Sequence, residues 1–414
     1  METRAGTRTN TKKNSKAYKA PKATEKNKTQ GWLARLDAPF LILVVILVLF
    51  GLLMLYSASY VTGIYRFGDS FHFFKSQLFF AGLGLAVMYF ASVVDYRLLR
   101  KFVWPFVVGT IILLVIVLFM EPLNNAKRWI HIGTFGTFQP SEIAKFVIIL
   151  LLSHHAAKYH KEIRSKNLGI SLYYGVGCFL APLVIVVFLL WLEPHYSAIV
   201  IITLITVIMM FVGGTALKWF VLGGTIAVGV LGTIFLSFNA IQTYVMVRVQ
   251  NWVQSFSNPM AAGHQSAQSL LAIGSGGFRG LGLGNSRQKH LYVPEPQNDF
   301  IFSIICEELG FIGGTLVIVL FVLLLIRGVG IALRAKDRFG TMLVVGIMAQ
   351  VMLQAVLNIA VVTNTIPNTG ISLPFFSYGG TSLLMILGEM GIVLSVSRRG
   401  TQPAGSGEED EVPA

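Results

Sequence analysis

In the stretch PEPQNDFIFSIICEELG, residues 294–310, Asp299 stands where a polar loop runs into a strongly apolar segment. Glu307 and Glu308 follow inside that segment. A carboxylate at such a boundary can cap the free amides of a helix start, or it can take a proton from a substrate hydroxyl. Asp299, Ser303 and Glu307 are spaced four apart, which on a continuous helix places them on one stripe. Two adjacent carboxylates within an apolar segment demand partners or a changed protonation state.

A second constellation lies in QPSEIAKF, where Glu142 and Lys145 fall three residues apart and share a helical face. They form either a self-neutralising ion pair or the charged lining of a cavity. Gln139-Pro140-Ser141 just before them reads as a helix start, with proline where its missing N–H is harmless. Cations gather in the polar stretches: Lys127 and Arg128 before Trp129, then Arg248, Arg279, Arg287 and Lys289. Such a set near a carboxylate suits an anionic substrate, such as a lipid-linked phosphate or diphosphate. The run AIGSGGFRGLGLGNSRQK lets backbone approach a ligand but fits neither the Walker nor the dinucleotide spacing. No zinc-type spacing occurs, and His154, His155 and His290 read as structural.

These residues must be held by membrane helices. Hydrophobic residues make up 54% of the 414 and charged ones 13%, too little charge for the surface of a water-soluble chain of this length. About ten apolar segments reach spanning length, near 39–62, 73–94, 102–120, 139–157, 171–192, 196–213, 217–238, 300–326, 340–363 and 376–397. The fifth and sixth are separated only by EPH, which requires a tight reversal or a broken helix. The fold class is therefore an all-α integral membrane protein. Residues 1–38 form a basic, disordered cytoplasmic tail, 39–399 a polytopic domain, and 400–414 an acidic tail. Ten of the 33 Lys and Arg precede residue 36. Placing that end in the cytoplasm puts DYRLLRK, KYHKEIRSK and RAKDR on the same side, as the positive-inside rule prefers. Both termini are then cytoplasmic. The two long loops, about 121–138 and 239–299, face outward, and the larger joins helices seven and eight. Cys178 and Cys306 lie in apolar runs and offer no disulfide framework. The segment 366–382, IPNTGISLPFFSYGGTS, reads as a tightly folded or re-entrant turn, tolerable only against protein or a wet cavity.

Three blocks carry a resemblance: KRWIHIGTFGTFQPSEIAK, GLGLGNSRQKHLYVPEPQNDFIFSIICEELGFIGG and IPNTGISLPFFSYGGTS. In this order they resemble the signature blocks of the SEDS family of bacterial wall-building membrane proteins, over nearly all of residues 39–399. The wording leans toward the division and sporulation branch. The resemblance implies a peptidoglycan glycosyltransferase that polymerises lipid II outside the membrane and works with a class B penicillin-binding transpeptidase. Other divisome membrane proteins are implied partners, and nucleic acid is not. The family's essential loop aspartate falls on Asp299, its Glu and Lys on Glu142 and Lys145, and its Arg-Trp pair on Arg128 and Trp129. Asp299 is then expected to be the general base, or to hold a divalent cation (Mg or Mn) beside the diphosphate. Arg128, Trp129, Glu142, Lys145, Arg248 and Lys289 are expected to bind substrate.

One departure stands out. Where the family commonly reads QPDLGT, this chain reads EPHYSA at 193–198, so the usual aspartate is His195 and Glu193 is a possible substitute. Two rival functions remain at this point. A lipid II flippase should carry its polar path to both faces, whereas Glu142, Lys145, Asp299 and Glu307 cluster in the outer half, with Glu389 and Lys75 outside that pattern. A non-catalytic scaffold for a transpeptidase leaves Asp299 without a task.

Overall fold

The computed structural model describes residues 36–121, 127–131, 137–237, 243, 246–247, 249–250, 252–253 and 264–400. Both expected tails, apart from their innermost residues, and Arg248 lie outside the described residues.

The chain runs through α1 (Ala38–Phe67), α2 (His72–Val93), α3 (Leu99–Leu118), α4 (Pro140–Lys158), α5 (Leu168–Leu192), α6 (Tyr196–Gly213), α7 (Leu217–Ser237), α8 (His264–Gly276), α9 (Ile301–Leu333), α10 (Arg338–Val362) and α11 (Gly380–Gly400). Among the described residues, eight helices are long and apolar enough to cross a membrane: α1, α2, α3, α5, α6, α9, α10 and α11. The fourth and seventh expected segments are occupied by α4 and α7. Local chemistry sets the ends. Asp37 caps α1 by accepting from Phe40 N at 3.1 Å, and Gly68, at φ 68°, closes it. Asp337 caps α10 in the same way, accepting from Gly340 N at 2.7 Å. One small element departs from the all-helical expectation. Strands β1 (Ile130–His131) and β2 (Thr137–Phe138) pair antiparallel, which brings the Arg128-Trp129 segment beside the start of α4.

The centre of the bundle is α4, packed against α3, α6 and α10. Its residues from Ser141 to Leu150 are almost all buried, the charged Glu142 and Lys145 included. Around it, α2 packs on α11, and α9 on α1, α8 and α10.

Helix α9 is not the continuous helix expected from the sequence. Gly310, at φ 66° and ψ −163°, breaks its backbone. The break frees the carbonyls of Glu307 and Glu308, which accept from Leu281 N (3.0 Å) and Gly282 N (2.9 Å). In return Phe311 N and Ile312 N donate to the carbonyls of Gly277 (2.9 Å) and Phe278 (3.4 Å). The glycine-rich segment therefore completes the hydrogen bonding of a broken membrane helix, which buried backbone requires. Asp299 precedes the helix by two residues, and α9 has no side-chain cap, so the capping role is not realised.

Candidate functional site

A cavity of about 400 Å³ opens at one end of the bundle. Arg128 and Trp129 line it from the segment before β1, Gln139, Glu142 and Lys145 from the start of α4, and His195, Ser197, Ala198 and Ile201 from the start of α6. Asn298 and Asp299 enter just ahead of α9, Gln354 from α10, and Gly370, Ile371, Ser372 and residues 378–382 from the final turn and the first residues of α11.

The Asp299 backbone is fixed from both sides. Asn358 Nδ2 donates to the carbonyls of Asp299 and Ile371, each at 2.7 Å. Ser377 Oγ donates to the Asn298 carbonyl at 2.7 Å, and Tyr378 N to that of Gln297 at 2.8 Å. The tightly folded segment expected at 366–382 is thus the frame that holds the aspartate. Among the described residues the Asp299 carboxylate accepts no hydrogen bond, and it faces the cavity. Burial, and secondarily the Glu295 charge, push its pKa up to about 6, with Arg128 pulling the other way. An acid tuned in this way is ionised near neutrality yet basic enough to accept a proton.

Across the cavity Lys145 Nζ lies 2.8 Å from Glu142 Oε1, with side chains only 4% and 8% exposed. Ser382 Oγ donates to the other Glu142 oxygen at 3.2 Å. The ion pair and the cavity lining, alternatives in the sequence, are both realised by one pair. Arg128 donates to the Pro194 carbonyl, which ties the β1 segment to the turn between α5 and α6. That turn is the tight reversal expected at EPH, closed by His195 N on the Leu190 carbonyl at 2.9 Å. His195 lines the cavity with its Nε2 3.5 Å from Gln139 Nε2. Burial, with Arg128 and Lys145 nearby, lowers its pKa to about 3, so the ring is neutral. Glu193 is fully buried, and neither of its carboxylate oxygens has a hydrogen-bond partner among the described residues.

Lys289 was expected among the substrate-binding cations, and the structure corrects this. It has no solvent exposure, does not line the cavity, and pairs with Glu308 at 2.7 Å. Ser57 Oγ reaches both Glu308 oxygens, at 2.7 and 2.6 Å. Glu307 accepts from Arg287 N at 2.8 Å and from Ser286 Oγ. Both glutamates therefore have partners and pin the glycine-rich segment, instead of extending the stripe from Asp299. Glu389 also has a place: Gln350 Nε2 donates to its two oxygens at 3.1 and 2.9 Å, near enough to Lys145 and Glu142 to feel both charges. Lys75 is an exposed partner of Asp69 at 2.8 Å.

Sequence reasoning missed Gln350, Gln354 and Asn358, which hold Glu389, line the cavity and fix Asp299 respectively. The signal was available: three amides four apart on an otherwise apolar helix make a polar stripe.

The fold and this site have relatives. Stage V sporulation protein E of Bacillus subtilis is 42% identical over 367 residues, covering 87% of this chain and 97% of that protein. A probable peptidoglycan glycosyltransferase FtsW from Geobacter sulfurreducens is 37% identical, covering 89% of this chain and 96% of that protein. A chain from a peptidoglycan synthase complex that coordinates polymerization and crosslinking superposes with a TM-score of 0.73, at 26% identity, covering 90% of this chain and 100% of that one. RodA of Thermus thermophilus superposes at 0.63, with 25% identity, covering 90% of this chain and 99% of that one. Residues 38–402 match the family model FtsW/RodA/SpoVE, described as cell cycle protein, and with these relatives at that coverage the chain belongs to this family, the SEDS proteins.

Proposed function

We propose that this chain is a peptidoglycan glycosyltransferase that polymerises lipid II into β-1,4 glycan strands for cell division, releasing undecaprenyl diphosphate. The observation that carries the reading is an Asp299 carboxylate that accepts no hydrogen bond among the described residues, tuned to about 6, in one cavity with Arg128 and the Lys145–Glu142 pair.

The chemistry follows from those groups. The acceptor hydroxyl oxygen bonds to the anomeric carbon of the donor as the carbon–oxygen bond to the diphosphate breaks. The diphosphate departs with the electron pair, and Asp299 takes the hydroxyl proton. One carboxylate is enough, because a diphosphate leaves without protonation and needs only positive charge beside it. Arg128 and Lys145 supply that charge, Glu142 orients Lys145, and Trp129 packs against the bound chain. A single displacement inverts the donor's α linkage to β.

A divalent cation fits the same place. Among the described residues no trio of His, Cys, Asp or Glu is grouped to hold a metal. A hard cation shared between one protein carboxylate and substrate phosphates needs no such trio. Asp299 would hold it, and it would supply further charge for the leaving diphosphate.

In this reading ten helices span the membrane, both termini are cytoplasmic and the cavity opens outward. A class B penicillin-binding transpeptidase and other divisome proteins are its partners, the former suggested by the likeness to a synthase-complex chain. Close packing further along α10 weighs against transport. About two turns from the cavity-lining Gln354, the helices α4, α6 and α10 meet through Ile149, Met209 and Gly346, with no room at Gly346 for a methyl unless Ile149 shifts. Reconstitution with labelled lipid II, alone and with the transpeptidase, tests the reading. Glycan chains support it; label crossing to the opposite leaflet without chains overturns it.

A further inference from the structure

Glu193 has no task in the reaction above, and its setting is unusual. It is fully buried, both carboxylate oxygens lack a hydrogen-bond donor among the described residues, and it sits one residue from the carbonyl that Arg128 holds. The charge of Arg128 lowers the pKa of both Glu193 and Asp299. On α4, Lys145 is held by Glu142 at 2.8 Å, and in the turn before α6 the neutral His195 faces the cavity. Arg128 is thus the charged group that Glu193 answers to.

We propose that Glu193 is a positioning residue that governs where the Arg128 guanidinium points. As a neutral acid it leaves the guanidinium, bonded to the Pro194 carbonyl at the cavity wall, able to turn further N–H groups to an anionic diphosphate. As a carboxylate it draws those N–H groups to itself and away from the cavity. A buried carboxyl without a donor is neutral, because its charged form has neither water nor hydrogen bonds. Once ionised, it competes with phosphate oxygens for the same guanidinium in a low dielectric. Burial pushes the carboxyl up to about 8, even against the lowering effect of Arg128, so the change falls just above neutrality.

The inference rests on the reading of Arg128 as a diphosphate-binding group, and kinetics on the purified full chain with lipid II, with its transpeptidase present, tests it. In the wild type, KM for lipid II should rise roughly five- to tenfold between pH ~7 and ~9 while kcat stays within about twofold, since Asp299 is already ionised. Glu193→Gln and Glu193→Met, both neutral at every pH, should show a flat KM, and Glu193→Asp should keep the rise. Two neutral variants cover the case in which one fails to fold. A KM rise as large in the neutral variants as in the wild type, or a flat wild-type KM, overturns the role of Glu193. A KM that Arg128→Met leaves unmoved at all pH values overturns the diphosphate reading instead.

Discussion

Lys289 Nζ lies 2.7 Å from Glu308 Oε1, and neither side chain has any solvent exposure. The ammonium also donates to the Gly284 carbonyl at 2.6 Å and stands 4.8 Å from the centre of the Tyr60 ring. The pair joins the glycine-rich segment to α9 and, through Ser57, to α1. It is part of the scaffold and not of the cavity lining.

Removing one partner of such a pair strands a buried charge, at a cost of about 3–5 kcal/mol. Lys289→Met and Glu308→Leu should each lower the yield of folded protein and its melting temperature sharply. The double variant should recover much of the loss, because no charge is stranded. Thermal melts of the four proteins in detergent check this. Equal losses that simply add would contradict it.

The glycines of this segment should separate into two classes. A methyl at Gly280 would overlap the Glu308 carbonyl, whereas one at Gly277 meets nothing within 4 Å, although both have positive φ, 79° and 52°. Gly277→Ala should therefore cost only the backbone strain, about 1–2 kcal/mol. Gly280→Ala should cost clearly more, because the segment must lift off the break at Gly310. The same melts rank the two.

Asp299 gives opposite pH trends for activity and stability. Its folded pKa of about 6 lies above the ordinary 3.8, so the folded chain holds the proton more tightly than the unfolded one. Its contribution to stability is intact below the unfolded value and is lost as pH rises through the folded one. The kcat should climb through pH ~6 as the base ionises. Asp299→Asn should match the wild type in heat stability near pH ~4 and exceed it near pH ~8.

The Lys145–Glu142 pair allows fold and function to be separated. Lys145→Met alone leaves Glu142 charged and nearly buried, so folding should suffer along with polymerisation. Lys145→Gln combined with Glu142→Gln removes both charges. Its melting temperature should return toward the wild-type value while polymerisation stays at least tenfold down, since the leaving diphosphate lacks its cation. Recovery of both together would assign the pair a structural role alone.

Much of this was legible in residue order. Membrane-length apolar segments announced the helices, and charges inside them at Glu142 and Lys145 left two readings open, a self-neutralising pair or a lined cavity, because such charges persist only where something answers them. The frame around Asp299 was visible only as a folded turn at 366–382. Its actual contacts, Asn358 to the Asp299 carbonyl and Ser377 to the Asn298 carbonyl, link residues far apart in sequence, which periodicity does not register. Lys289 misled for a related reason. In sequence it is one more cation in a polar loop, and only the break at Gly310 reveals that the loop is packed against a broken helix with Glu308 waiting for it.

The most direct measurement compares wild-type and Asp299→Asn protein, purified and reconstituted with lipid II and the partner transpeptidase, with the lengths of the products resolved. The substitution keeps size and shape and removes only the basic oxygen. The account predicts correctly inserted, folded protein that makes no glycan strands. Strands formed at the wild-type rate would contradict it.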